Sequence, residues 1–401
     1  MTVSVPADDR PMISTLSGLE ALCEDLRSAG SFALDTEFLG ERTYVPVLCL
    51  VQVATSTFTA IIDPIAVRDL SCLWTLVSDP GVEVILHAAR EDLRLSYFKS
   101  NKSLPRNIFD TQVAAAIVGL QQYPLSYARL VEGVCAVKLG KTETRSEWDR
   151  RPLTKEQLDY ARDDVRYLPA LANKLKSAIS NLERQNWMNE EMSRFSLEST
   201  YEIDPEKAYL RIRPPRQGLT RREAGYLKAY ASWREEWGIA TDRSPRFLLR
   251  DEAVLELSLR PPQRLGDFQR LRTLSNEQSD LFSDLIRIAQ ETRKLTDEDL
   301  PCAISGTTDS ESAYVKVKSD LVYALACALC MECEVAPELL ITRQSALDLV
   351  LGKIDATLMS GWRADLVGNT LFKLVSGSVS LCLTAEPERL GIVFQDVDGH
   401  S

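Results

Sequence analysis

Apolar residues recur at helical spacing near the start of the chain, where Leu16, Leu19, Leu22 and Leu26 predict a helix over residues 15–29. Three strand-like runs follow, Phe32–Glu37, Leu48–Ala54 and Thr57–Ile62, with short links between them. An antiparallel meander is their simplest pairing. Asp63-Pro64 stops the third run. Leu70, Leu73 and Trp74 share one face of a helix expected over Ala66–Leu76, and Val82–His87 reads as a buried strand. Strands that first pair antiparallel and then alternate with helices predict an α/β fold with a sheet of mixed direction.

The next helix begins at His87-Ala-Ala-Arg-Glu91-Asp92-Leu93, with Asp92 in its first turns, where the helix dipole favours a carboxylate. His87, at a strand end, is expected to pack rather than to catalyse. Ile108–Thr111 reads as a strand or loop entering a helix over Gln112–Gly119, and Asp110 is a candidate cap. Lys141–Thr154 is polar and loop-like. Thr154 and Gln157 then match a capping box at the start of a helix that carries Tyr160 and Asp164. A long polar helix is expected over about Leu168–Met192. Tyr226, Tyr230, Trp233 and Trp237 form a helical stripe of the kind that is usually core. Residues 295–312 are polar and read as a linker. Residues 313–372 look helical, with Leu321, Leu325, Leu329, Leu347, Leu349 and Leu351, and Ser378–Leu383 with Leu390–Gln395 are expected to form a terminal hairpin.

At 401 residues the chain is too long for one ordinary core. The pattern divides it into an α/β domain over 1–205 and two small all-α domains over 206–295 and 313–401. With 45% hydrophobic and 26% charged residues it reads as a soluble globular protein. No apolar run approaches 18 residues and the N-terminus has no signal-peptide pattern, so neither a membrane span nor secretion is expected. Nine scattered cysteines suit reduced thiols in a cytoplasmic compartment. Cys327, Cys330 and Cys333 fall at i, i+3 and i+6 of a helix without a fourth ligand nearby, which is the pattern of buried helical cysteines rather than a zinc site.

Charge changes the picture locally. The net charge is −11, but residues 1–205 carry −7, residues 206–294 carry +5 and residues 295–401 carry −9. Only the middle segment is basic. There Arg211, Arg213, Arg216, Arg221 and Arg222 fall within twelve residues, either as a solvated linker or as phosphate contacts.

The candidate chemistry starts at Asp35 and Glu37. Two apart on a strand, they share a face. Side by side they repel each other unless a cation sits between them. Tyr160 and Asp164, four apart, share a helix face. Asp163 lies almost as close in angle, and helix geometry alone does not choose between the two aspartates.

Together these residues resemble a known family. Asp35-x-Glu37, His87-Ala-x-x-Glu-Asp92 and Tyr160-x-x-x-Asp164 follow the order and approximate spacing of the three exonuclease motifs of ribonuclease D, a tyrosine-containing, four-carboxylate 3′–5′ exonuclease family. Leu50-Val-Gln52, Phe109-Asp-Thr-Gln112 and Ser146-x-Trp148-x-x-Arg151-Pro152-Leu153-Thr154 are similar to its flanking text. The match covers about residues 30–175, and the family register selects Asp164. Ala231 to Asp251 looks like the helicase-and-RNase-D C-terminal (HRDC) domain, covering about 215–295, and 313–401 resembles a second, divergent copy.

The resemblance implies an RNase H-like exonuclease domain and a metal-dependent 3′–5′ exoribonuclease. It would trim precursor tRNA or other structured small RNA to nucleoside 5′-monophosphates. Asp35, Glu37, Asp92 and Asp164 would hold two divalent ions, Mg²⁺ or Mn²⁺, and Tyr160 would orient the attacking water. Gln52 is a candidate for the substrate cleft, with Arg211, Arg213 and Arg216 for RNA phosphates. Arg145 and Trp148 either shape the cleft or pack it. RNA is the expected partner, no membrane is expected, and a monomer is the default. A 3′–5′ DNA exonuclease and a non-catalytic RNA-binding scaffold are the alternatives.

Overall fold

The computed structural model describes all residues except 1–3, 41, 121–122, 141–145, 272, 274–280, 305, 307–312, 354–355, 384–391 and 397–401, and the side chains of 270, 383 and 392–396. Its described residues form two compact units. One comprises residues 1–37, 50–197 and 312–401, the other residues 38–49 and 198–311.

The first unit is built on a six-stranded sheet of strands β1 (Asp8–Asp9), β2 (Ser31–Leu39), β3 (Val47–Ala54), β4 (Phe58–Ile62), β5 (Glu83–Leu86) and β6 (Ile108–Asp110). Their order is β1-β4-β3-β2-β5-β6. Strands β3 and β4 are antiparallel, while β5 runs parallel to both β2 and β6, so the sheet is mixed as expected. Helix α1 (Leu16–Ala29) is capped by the Thr15 hydroxyl, which accepts from Gly18 N, and it buries Leu19, Leu22 and Leu26. Leu16, at the open end of the predicted stripe, stays exposed.

Two predicted helices are broken. The one expected over Ala66–Leu76 is two, α2 (Pro64–Val67) and α3 (Ser71–Val77), because Arg68 adopts φ +64° and ends the first. The one expected over Leu168–Met192 is also two, α8 (Leu168–Asn181) and α9 (Gln185–Ser193), with Glu183 at φ +56° between them. Neither turn uses glycine, the residue that normally announces a left-handed conformation. Between these lie α4 (Arg90–Lys99), α5 (Thr111–Ile117), α6 (Tyr127–Cys135) and α7 (Lys155–Arg166). Residues of α5, α6 and α8 cover Ala33, Ala54, Ile85 and Phe109, the core face of the sheet.

The C-terminal part of this unit packs Val322 and Leu325 of the helix Ala313–Glu332 against Leu349, Trp362 and Leu371. Of the leucines read from sequence, Leu325 and Leu349 are core, while Leu321 and Leu351 are exposed. Cys330 is fully buried, and Cys327, Cys330 and Cys333 are free thiols, as their helical spacing suggested. The buried Arg184 guanidinium donates to the carbonyls of Ile117, Cys333 and Glu334, and Ala336 N donates to Ala116 O, which ties this bundle to α5. Val379–Leu383 and Ile392–Asp396 pair antiparallel, as the terminal hairpin requires. Leu390, at the expected start of its second strand, lies outside the described residues.

In the second unit α10 (Arg221–Thr241) is the spine. Its Tyr226 and Tyr230 are buried against Val254, Leu257 and Leu285, and Trp233 and Trp237 pack around them, so the aromatic stripe is core. The stretch 38–49, read from sequence with the first domain, belongs to this unit: Tyr44 Oη donates to Glu235 and Val45 N to Asp242. The segment 295–306 is not a free linker, since Leu219 and Ile304 exchange two backbone hydrogen bonds.

Candidate active site and metal centre

Strand β2 begins as core and ends as a site. Ala33, Asp35 and Glu37 alternate onto one face; Ala33 is fully buried, and the two carboxylates beyond it are half-buried. Helix α7 brings the third acid. Its capping box is formed as predicted, with Thr154 and Gln157 satisfying each other's backbone N–H groups. Further along the helix, Asp164 reaches the strand: one carboxylate oxygen from each of Asp35, Glu37 and Asp164 lies within 4.8 Å of the others. Asp163 is turned away and bonds Arg166 at 3.2 Å, which also binds Asp9. Of the two aspartates that helix angle left open, Asp164 is the one that meets Asp35 and Glu37.

Asp92, buried near the start of α4, receives a 2.5 Å hydrogen bond from Thr36 Oγ1. Thr36 sits between the two acids of β2, and nothing in the local pattern marks its hydroxyl as part of the site. The turn into α4 is held by Asp110, which accepts from Ala88 N, Ala89 N and Gln112 N. Ala88 has φ +58°, a conformation an alanine keeps only when its surroundings impose it. Asp110 thus caps α5 as expected and also fixes the helix that carries Asp92. His87 is packed, as expected of a histidine at a strand end. Its ring nitrogens meet Thr111 Oγ1 and Leu125 O, and burial keeps it neutral by lowering its pKa.

The electrostatics of the cluster follow from crowding. Burial first, then Asp92, Asp164 and Glu37, raise the Asp35 carboxyl well above its ordinary value. Burial and the charges of Asp164 and Asp92 push Glu37 up to about 8. Burial lifts Asp92 and Asp164 to about 7, against opposing hydrogen bonds from Thr36 and Tyr160. Four carboxylates that resist ionising together at neutral pH are stabilised as a set by added positive charge. Their donor atoms are hard oxygens, which suit Mg²⁺ or Mn²⁺.

The Tyr160 hydroxyl faces Asp164, one helical turn on, and as a donor it opposes the rise of that carboxyl's pKa. Burial and the neighbouring acids raise its pKa strongly, so it stays a protonated phenol. Trp148 is buried with its ring centroid 6.0 Å from that of Tyr160.

The remaining candidates are placed as follows. Gln52 on β3 is fully buried, and among the described residues neither amide atom has a hydrogen-bond partner. Arg211, Arg213 and Arg216 are exposed in the second unit. Arg221 and Arg222 are not free for phosphate: they donate to the carbonyls of Thr292, Leu295, Asp297 and Leu300 at the end of the helix Phe282–Lys294 and just beyond. Arg145 lies outside the described residues.

Residues 11–180 match the family of 3′-5′ exonuclease domains. The chain is 31% identical over 373 residues to ribonuclease D of Shewanella sp. strain ANA-3, covering 90% of this chain and 93% of that one. It is 32% identical over 378 residues to ribonuclease D of Zymomonas mobilis, covering 92% and 95%. Among solved structures, Escherichia coli RNase D, an exoribonuclease involved in structured RNA processing, superposes with a TM-score of 0.79 at 29% identity over 92% of this chain and 98% of that one. The catalytic core of RRP6 from Trypanosoma brucei shares the fold at a TM-score of 0.56 and 23% identity, over 73% of this chain and 83% of that core.

Proposed function

This chain belongs to the ribonuclease D family and is a 3′–5′ exoribonuclease, and from that premise we propose that Asp35, Glu37, Asp92 and Asp164 hold two divalent metal ions at which RNA is hydrolysed. The approach of Asp35, Glu37 and Asp164 to within 4.8 Å carries the reading. Exonucleases of this four-carboxylate fold use divalent metals. When bound, such ions lower the pKa of a water and stabilise the departing 3′-oxygen.

The chain's own groups do the rest. Asp35, Glu37 and Asp164 would hold one ion, and Asp92, which accepts from Thr36, would help hold the second together with Asp35. Tyr160 orients the attacking water through its hydroxyl. Held as a phenol, it donates and accepts hydrogen bonds and does not act as a strong base. The substrates are precursor tRNA with a 3′ trailer and other structured small RNA, and the products are nucleoside 5′-monophosphates. The helical domain over 206–295 contributes RNA affinity through the exposed Arg211, Arg213 and Arg216, and the bundle over 313–401 is a second HRDC-like domain.

A degradation time course with Mg²⁺ or Mn²⁺ tests the substrate. It uses 5′-labelled tRNA with a short 3′ trailer beside DNA of the same sequence. Stepwise 3′ shortening of the RNA with release of nucleoside 5′-monophosphates is expected. DNA shortened as fast would make the enzyme a DNA exonuclease, and binding without cleavage would make it a scaffold.

A further inference from the structure

The loop that leads into α7 is anchored more firmly than its polar sequence suggests. Asp63, directly after β4, is 4% exposed and forms a two-pronged ion pair with Arg151: Nε donates to Oδ2 and Nη2 to Oδ1, each at 2.8 Å. A planar guanidinium matched to a carboxylate in this way fixes direction as well as distance. The same Arg151 donates through Nη1 to the carbonyl of Trp148 at 2.8 Å. Asp63 is itself held, since it also accepts from Ile65 N as the cap of α2. The end of β4 therefore determines where the Trp148 backbone lies.

The Trp148 side chain turns inward from that anchor. It is 2% exposed, and its ring lies 6.0 Å from the Tyr160 ring with the planes tilted by 32°. Its indole Nε1 is buried and finds no hydrogen-bond partner among the described residues. A buried indole normally spends its N–H on a partner. Here the side chain contributes shape, and the ring it meets belongs to Tyr160, which shares a helix face with Asp164 four residues on.

We infer that Trp148, held by the Asp63–Arg151 pair, is a positioning residue for Tyr160: it fixes the phenol ring so that the hydroxyl stays directed at the carboxylate cluster and the attacking water. Its effect travels through Tyr160 alone. The inference rests on the role proposed for Tyr160. A misplacement near 1 Å of a group that orients a reactant lowers a rate about 10²-fold, so the loss on removing the indole is of that order or smaller.

The test is a double-mutant cycle on the full chain, read as kcat and KM for a 3′-labelled RNA, with Mn²⁺ affinity and thermal midpoint measured on every variant. Trp148→Ala is expected to lower kcat by roughly 10- to 10²-fold while KM and Mn²⁺ affinity stay near wild type. Trp148→Phe, which keeps one aromatic ring while discarding the N–H and the rest of the five-membered ring, is expected to restore part of kcat. In a Tyr160→Phe background, Trp148→Ala should add almost nothing. Arg151→Lys, which keeps the charge but loses the fork, serves where Trp148→Ala does not fold, and should show the same dependence on Tyr160. Losses that multiply independently, or a Trp148→Ala enzyme of full kcat beside an impaired Tyr160→Phe, overturn the inference. A fully active Tyr160→Phe overturns it at its base, by removing the role proposed for Tyr160.

Discussion

Thr36 Oγ1 donates to Asp92 Oδ1 at 2.5 Å, which joins the strand carrying Asp35 and Glu37 to the helix carrying Asp92. The two residues are 56 apart in sequence. This hydroxyl orients the Asp92 carboxylate together with the backbone N–H groups of Thr36 and Asp92. Hydrogen bonds of this kind to a metal ligand are worth roughly 10- to 100-fold in affinity. Thr36→Val should therefore weaken Mn²⁺ binding by about that factor, while Thr36→Ser stays within a few-fold of wild type. Calorimetric Mn²⁺ titration of the two variants checks this, and equal affinities would remove Thr36 from the site.

The metal-free protein should lose stability as pH rises. Glu37 is pushed up to about 8, and Asp92 and Asp164 to about 7, from ordinary values of 4.5 and 3.8. Between the unfolded and folded values the native state keeps protons that the unfolded chain has released. Stability is then fully present below the unfolded values and falls as pH passes through 7 to 8. Divalent ions bind the ionised carboxylates and reverse the loss. The thermal midpoint measured with and without Mg²⁺ should diverge from about pH 5 to about pH 8. A gap of constant size would contradict the crowding described for the cluster.

Glu191 is a buried anchor for the C-terminal bundle. It accepts from Arg363 Nη2 at 2.9 Å and from Trp362 Nε1 at 2.9 Å, and the Trp362 ring stacks on Trp187 at 4.8 Å. Arg363 is 2% exposed and Glu191 4%. Removing the acid alone leaves a buried, uncompensated guanidinium. Glu191→Ala should lower unfolding free energy by about 3 kcal/mol or more, whereas Glu191→Leu with Arg363→Met should cost far less. Urea unfolding of the wild type and the two variants decides it; equal losses in the single and double variants would show that the pair is not coupled.

Arg211, Arg213 and Arg216 are exposed, unlike Arg221 and Arg222, whose guanidinia are occupied by backbone carbonyls. Replacing the first three by alanine should weaken RNA binding across sequences. The salt dependence should flatten by about one unit of slope for each phosphate no longer neutralised. The single-turnover rate at saturating RNA should not change. An unchanged salt slope would assign these arginines to solvent.

Much of the catalytic domain is legible because its signals are periodic. The α1 stripe, the strands and the Thr154–Gln157 capping box declare themselves over a few residues. So do the two acids of β2, which lie two apart. What is not legible depends on long-range contacts or on local geometry without a residue signature. Arg68 and Glu183 end helices in left-handed conformations that glycine would ordinarily supply. Asp163 and Asp164 are separated by the Arg166–Asp9 network, which only the folded chain assembles. Asp63 and Arg151 are 88 residues apart, so the anchor of the loop before α7 has no local trace. Residues 38–49 look like a plain connection, and their attachment to Glu235 and Asp242 comes from partners far along the chain.

The most direct test of the central claim is Mn²⁺ stoichiometry measured together with RNA turnover, in wild type and in Asp35→Asn. With a nucleoside 5′-monophosphate present, the wild type should bind two ions per chain. Asp35→Asn should lose at least one of them and should shorten RNA from its 3′ end at about a thousandth of the rate or less. An Asp35→Asn protein that binds both ions and degrades RNA normally would show that the chemistry lies elsewhere.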